Sequence, residues 1–130
     1  MPKYKLINWD KLGIKPKDHL NRLEVPEGDD NNEKCCSVYT ADMPGTTAGK
    51  SVRVYFIEHE FYKRDGGIYD SPDNSKRFTF LCRAAFELFR KGDWRPDILH
   101  AHDWPTAMTS VYLKHNRHIL GDNFEKTASV

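Results

Sequence analysis

The chain has 130 residues, with 20 Lys and Arg against 19 Asp and Glu, so its formal net charge is +1. One domain of the usual ~100–200 residues fills that length and two do not, and so balanced a charge excludes a generic binder of nucleic acid or anionic lipid. Hydrophobic residues make up 38%, charged residues 30% and aromatics 12%, with a mean hydropathy of −0.74, a polar composition that still holds too many Phe, Tyr and Trp for a disordered chain.

No apolar run approaches the ~18–20 residues needed to cross a bilayer. The start, Met1-Pro2-Lys3-Tyr4-Lys5-Leu6, lacks the apolar stretch of a secretory signal. The expectation is a soluble chain with no membrane partner. Cys35, Cys36 and Cys82 have neither zinc spacing nor Cys-x-x-Cys redox spacing, and fit a reducing compartment.

Residues 1–34 are charged and broken by Pro2, Pro16, Pro26 and Gly28, and they close on the solvated run Asp29-Asp30-Asn31-Asn32-Glu33-Lys34. This stretch is expected to be irregular and outside the core. Cys36 to Ala41 and Ser51 to Glu58 are rich in β-branched and aromatic residues, and Pro44-Gly45 and Gly49 lie between them. That pattern predicts two antiparallel strands. Residues 59–70 form a polar, aromatic loop that is long for a compact domain and is a candidate functional loop.

A helix is predicted from Ser71-Pro72-Asp73, with Ser71 as cap, to Lys91, with Gly92 as its stop. Phe78, Leu81, Ala85, Leu88 and Phe89 keep the 3,4-residue spacing of one buried face, which leaves Arg77 and Arg83 on the solvated side. Pro96 to His100 reads as a short buried strand. Asp103 can cap a further helix to about Lys114 that buries Ala107, Met108, Val111 and Tyr112. Strand, helix, strand, helix predicts an α/β fold with a parallel βαβ unit, to which the hairpin is an antiparallel addition.

In such sheets ligands bind beyond the carboxyl ends of the strands, where His100-Ala101-His102-Asp103-Trp104 leaves one. Three readings of this segment stay open. His100, His102 and Asp103 can hydrogen-bond a substrate's hydroxyls. They can hold a metal with His115 and His118 as later ligands, although Trp104 and Pro105 stand where the familiar His-x-His-x-Asp-His pattern has Asp and His. Or the segment is structural, with a histidine packed under the sheet edge and Asp103 as a helix cap. Gly66-Gly67 is followed by no Lys-Ser/Thr, and there is no Gly-x-Gly-x-x-Gly, so no phosphate cradle is present by motif.

Several ordered blocks resemble one family. Val54-Tyr55-Phe56-Ile57-Glu58-His59, Arg64-Asp65-Gly66-Gly67-Ile68-Tyr69, Ser71-Pro72-Asp73-Asn74 with Arg77-Phe78, and Arg95-Pro96-Asp97-Ile98-Leu99-His100-Ala101-His102-Asp103-Trp104 are similar in order and spacing to the glycogen and starch synthases. These are ADP-glucose-dependent glucosyltransferases of glycosyltransferase family 5, with the GT-B fold of two Rossmann-like domains. The likeness is best from about Val52 to Lys114, and Met1-Pro2-Lys3-Tyr4 also resembles a segment of the family's first domain.

The resemblance implies a partial Rossmann-like domain, an internal piece of the N-terminal, acceptor-side half. The Lys-x-Gly-Gly-Leu strand and loop and the second domain are absent from these 130 residues. Sheet edges and apolar faces are then expected to be uncovered. By likeness, His102 and Asp103 are the catalytic candidates, His102 toward a sugar hydroxyl and Asp103 shaping the turn. Asp73, Arg77, Trp104 and His100 are the substrate-binding candidates, with Asp73 orienting the acceptor.

The implied reaction moves glucose from ADP-glucose to the non-reducing end of an α-1,4-glucan with retention, without metal or other cofactor. The isolated chain is expected to be inactive for want of the rest of the synthase. A non-catalytic glucan- or partner-binding half-domain is the alternative. The implied location is the cytoplasm of a bacterium or the plastid of a plant or alga. One departure is local: Pro105 stands where bacterial members usually have His.

Overall fold

The turn at residues 45–50 folds β3 (Asn32–Pro44) back along β4 (Ser51–Glu58). Gly45 N–H donates to the Lys50 carbonyl at 2.8 Å, and Gly49 takes the left-handed φ of 76° that a side chain disfavours. In this computed structural model, residues 1–17, 20–27, 32–92, 94–115 and 124–130 are described. The hairpin forms as its sequence predicts, with antiparallel register from Ser37 opposite Glu58 to Pro44 opposite Ser51. Arg53 and Asp42, directly opposed across it, join through two hydrogen bonds of 2.9 and 3.2 Å.

Residues 1–34, expected to be irregular, are largely built into this sheet. They contribute a one-turn helix α1 (Trp9–Leu12), a two-residue strand β1 (Lys15–Pro16) and β2 (Leu23–Glu27). β1 pairs with Thr40 and Tyr39 of β3, and β2 runs antiparallel to β3 from Leu23 opposite Cys36 to Glu27 opposite Asn32. Leu23 and Val25 alternate inward with no exposed surface, so period-2 burial, not proline content, decided this segment. Pro16 and Pro26 are tolerated because a strand residue whose N–H is not needed by the ladder loses nothing by lacking one.

The chain start is also tied down. Met1 C=O accepts from Ile57 N–H and Lys3 N–H donates to Ile57 C=O, both at 2.8 Å, which covers part of the β4 edge. Lys3 Nζ reaches Glu58 at 2.7 Å and lies 4.0 Å from the Trp9 and Tyr39 ring centres.

The long helix α2 (Asn74–Lys91) lies across the sheet, and Gly92 ends it with an N–H to the Leu88 carbonyl. Phe78, Leu81, Ala84 and Leu88 pack with Leu23, Val25, Val38 and Ile57. Ala85 and Phe89, placed on the same buried face by spacing, are only half-buried. The other side of α2 is covered too, by a second cluster of Phe86, Leu99, Leu113 and Phe124. Because both sides are covered, Arg77 (2% exposed) and Arg83 (8%) are buried rather than solvated. They are tolerated because each has partners: Arg77 donates to the Ile68 carbonyl at 2.9 Å, and Arg83 meets the fully buried Glu87 at 3.0 Å, a carboxylate that Arg90 also meets at 2.7 Å.

The strand after α2 is short. β5 (Ile98–Leu99) buries Leu99 and leaves Ile98 exposed. It pairs in parallel with β6 (Ala128–Ser129), Ile98 opposite Ala128 and Leu99 opposite Ser129. The α/β fold with a parallel pair and an antiparallel hairpin is thus present. Among the described residues, however, the parallel partner of β5 is β6, so the parallel unit forms one element later than the strand–helix–strand order predicts.

Between β5 and β6 lies α3 (Met108–His115), which buries Thr109 and Leu113. Of the four residues expected inside, Met108 and Tyr112 are half-buried, and Ala107 and Val111 are exposed. The tight 3-10 turn Trp104–Thr106 has fewer residues per turn than an α-helix, so it rotates the face that α3 turns inward.

Candidate functional site

The loop between β4 and α2 is held by two arginines. Tyr62, in the turn Glu60–Tyr62, is buried and its hydroxyl donates to the Arg77 carbonyl at 2.7 Å. The Arg77 side chain donates to Ile68 C=O at 2.9 Å and Asn74 Oδ1 at 3.2 Å, and Asn74 returns a bond to Tyr69 C=O. Arg77, a substrate-binding candidate by likeness, is 2% exposed, lies behind the loop and holds its backbone.

Arg64 works from the other end of the loop. It donates to Asp73 Oδ1 at 2.7 Å, to Asp73 Oδ2 at 2.6 Å and to Ser71 Oγ at 3.2 Å. The hydrogen bonds from Arg64, more than its charge at a distance, hold the Asp73 carboxyl below its ordinary value. Asp73 stands at the cap position of α2 but makes no side-chain cap bond, because Arg64 has taken both oxygens. The helix accordingly starts at Asn74, three residues after the expected cap Ser71.

Beyond β5 the backbone turns out of the sheet. Asp103 has φ 61° and ψ 177°, and among the described residues no other non-glycine has positive φ. Such a conformation is essentially glycine territory, and strained residues of this kind cluster at functional sites. The turn is fixed by Asp103 Oδ1 accepting from Trp104 N–H at 2.7 Å and by Thr106 Oγ1 donating to His102 C=O at 2.7 Å. Cys82 of α2 approaches the Pro105 carbonyl at 3.4 Å. His100, His102, Asp103 and Trp104 are all exposed, and the two imidazoles stack with centres 4.2 Å apart.

Trp104 ties this turn to the arginine-held loop. Its ring meets Phe78 edge-on with centres 5.0 Å apart and Tyr69 at 5.5 Å. Four of the six candidates, His100, His102, Asp103 and Trp104, thus share one exposed turn. Asp73 heads α2 in the same turn-to-loop assembly, and Arg77 sits behind it. Sequence reasoning missed Arg64 and Tyr69 as individuals, although the loop's length and its Gly66-Gly67 pair marked the segment that holds them.

Arg64 is a plain solvated cation by composition, and only the fold brings it to Asp73. No three His, Cys, Asp or Glu side chains come together as a metal-ligating group among the described residues. His118, one of the later metal candidates, lies outside them.

The sequence profile of the starch synthase catalytic domain matches residues 1–130. The chain belongs to the starch synthase catalytic domain family. It is 40% identical over 118 residues to glycogen synthase 1 of Geobacter metallireducens, covering 87% of this chain and 22% of that one. It is 38% identical over 104 residues to the glycogen synthase of Treponema denticola, covering 75% of this chain and 20% of that one.

A solved structure is similar as well: the catalytic domain of starch synthase IV from Arabidopsis thaliana bound to ADP and acarbose. That match has a TM-score of 0.74 and 26% identity, and covers 98% of this chain and 24% of that one. This starch synthase family chain spans about a fifth of the length of the curated relatives it matches. Among its described residues no helix is long and apolar enough to cross a membrane.

Proposed function

We propose that the chain forms the acceptor-side part of a glycogen or starch synthase, a hexosyltransferase that moves glucose from ADP-glucose to the non-reducing end of an α-1,4-glucan with retention. The observation that carries this reading is the strained, exposed His102-Asp103-Trp104 turn at the carboxyl end of β5, braced through Trp104 on the Arg64- and Arg77-held loop. In α/β sheets this edge is where ligands bind. The ADP and acarbose of the similar starch synthase IV structure support a nucleotide-linked donor and an oligosaccharide acceptor.

In this reading His102 hydrogen-bonds a glucosyl hydroxyl, with His100 stacked beside it. Asp103 sets the turn, and Trp104 supplies an apolar face for a sugar ring. Asp73, kept ionised by Arg64, accepts from an acceptor hydroxyl. A retaining transfer develops positive charge on the sugar and negative charge on the leaving diphosphate. The groups of this chain suit the sugar, and the reading assigns the diphosphate to the remainder of the synthase. It invokes no metal or other cofactor, it makes the isolated chain inactive, and it places the parent in a bacterial cytoplasm or a plastid.

The test is a chimera in which these residues replace the matching segment of the Geobacter metallireducens glycogen synthase 1, assayed for ADP release and glucan elongation. Turnover that survives a chelator and falls about a hundredfold or more in His102→Ala supports the reading, the size expected for removing a group that acts in the transition state. A folded chimera that binds maltoheptaose but never turns over ADP-glucose overturns it in favour of a glucan-binding module.

A further inference from the structure

A cavity of about 350 Å³ lies beside α2, between β2 and α3, and shares no lining residue with the His102 turn or the arginine-held loop. Ser75, Lys76, Thr79 and Arg83 enter it from α2 at the three- and four-residue spacing that aligns side chains along one helix face. Half-buried Pro26 of β2 and Tyr112 of α3 give it apolar walls, with the core residues Val25 and Phe80 beneath. Among the described residues its lining carries two cations, two aliphatic hydroxyls and no carboxylate.

Arg83 is 8% exposed, and its Nε has no hydrogen-bond partner. Its guanidinium lies 5.8 Å from the Tyr112 ring centre and forms an ion pair with Glu87 Oε1 at 3.0 Å, an oxygen that accepts no hydrogen bond. Glu87 is shared with Arg90, so one buried carboxylate serves two guanidiniums, and Lys76 adds a further positive charge. A buried donor without an acceptor is costly, and a cavity with excess positive charge beside it favours an anion.

The size falls at the lower end of sites that hold small organic ligands. We infer that this cavity binds a phosphate-bearing small molecule, with phosphoryl oxygens accepting from Lys76, Arg83 and the Ser75 and Thr79 hydroxyls and the organic part lying on Pro26 and the Tyr112 ring. Several donors converging from different side chains suit the oxygens of a phosphate better than the two of a carboxylate. The inference is independent of glucosyl transfer and stands or falls without it.

The test titrates the 130-residue chain at constant ionic strength with glycerol 3-phosphate, inorganic phosphate and glycerol, following backbone amide resonances. Three results together support the site: saturable shifts centred on Ser75–Arg83 and Tyr112 with glycerol 3-phosphate, none with glycerol, and an affinity about tenfold weaker in Lys76→Glu. The tenfold figure is the size expected when a charge-assisted hydrogen bond to phosphate gives way to a repelling carboxylate. Tighter binding of glycerol 3-phosphate than of inorganic phosphate identifies an organic phosphate as the ligand, and equal binding identifies the free anion. Lys76 is exposed, so its replacement leaves the buried Arg83–Glu87 pair in place, and Thr79→Ala serves as a second, neutral variant. Shifts that never saturate, that sodium chloride reproduces, or that both variants leave unchanged overturn the proposal.

Discussion

Arg64 meets Asp73 with two parallel hydrogen bonds, Nη1 to Oδ1 at 2.7 Å and Nη2 to Oδ2 at 2.6 Å, across nine residues of loop. This fork-on-carboxylate geometry is the strongest form an exposed pair can take. It closes the segment containing Gly66 and Gly67 onto the head of α2, while Arg77 holds the same segment from inside through Ile68.

Arg64→Ala releases Asp73, and the consequence is legible in its titration. Asp73 in the folded chain ionises below its ordinary value of 3.8 because of the Arg64 hydrogen bonds. A carboxyl depressed in the folded state contributes stability above its unfolded value, and that contribution is lost as pH falls from 3.8 through the lower folded value. The side-chain carboxyl carbon of Asp73 is expected to titrate at lower pH in the parent chain than in Arg64→Ala, with faster amide exchange over residues 66–70 in the variant. Identical titration curves in the two proteins would remove Arg64 from this role.

At Asp103 the backbone and the side chain pull in opposite directions. Glycine relieves the φ 61°, ψ 177° conformation but loses the bond to Trp104 N–H, whereas alanine loses the bond and keeps the strain. Asp103→Gly is therefore expected to be more stable than Asp103→Ala by about 1 kcal/mol in urea unfolding. If the alanine variant is the more stable of the two, the turn is not strained in solution.

Glu87 has no exposed surface and balances both Arg83 and Arg90. Its replacement by alanine leaves Arg83 buried without a counter-charge, a class of change that costs about 3–5 kcal/mol. A loss below about 1 kcal/mol in the same unfolding experiment would mean that water reaches Arg83 and solvates its charge.

Trp104 is half-exposed, so truncating it removes little core and mainly cuts the aromatic link to Tyr69 and Phe78. Trp104→Ala is expected to lower stability by about 0.5–1.5 kcal/mol, the range for an aromatic pair, while weakening maltoheptaose binding more than Trp104→Phe does. Equal affinities for the two variants would show that the ring does not contact the glucan.

The cysteines separate by environment. Burial pushes the Cys36 thiol up to about 12 and the Cys82 thiol up to about 11, while Cys35 is exposed. A disulfide reagent near neutral pH is expected to modify Cys35 quickly and the other two only after unfolding, since the thiolate is the reactive form. Fast reaction at Cys82 would show that α2 separates readily from the Pro105 turn.

The β3–β4 hairpin was legible because β-branched alternation and a Pro/Gly turn are local signals, and the C-terminal end of α2 because Gly92 follows a long apolar period. The His102-Asp103-Trp104 turn was legible for a similar reason: polar residues directly follow a short apolar strand. The strands within residues 1–34 were not legible, because Pro16 and Pro26 look like breakers until a neighbouring strand is present that does not need their N–H groups.

By itself, then, the sequence determined one α/β unit, a hairpin, a long helix and a polar turn carrying His100, His102, Asp103 and Trp104, since each depends on interactions within a few residues along the chain. The tertiary structure alone decided that Arg77 braces a loop from inside, that Arg83 and Arg90 share a buried Glu87, that Arg64 claims Asp73, and that β5 pairs with β6. A side chain's charge state and partner depend on what covers it. The second cover on α2 comes from Phe124, far along the chain from Phe86, and periodicity within a single helix carries no record of it.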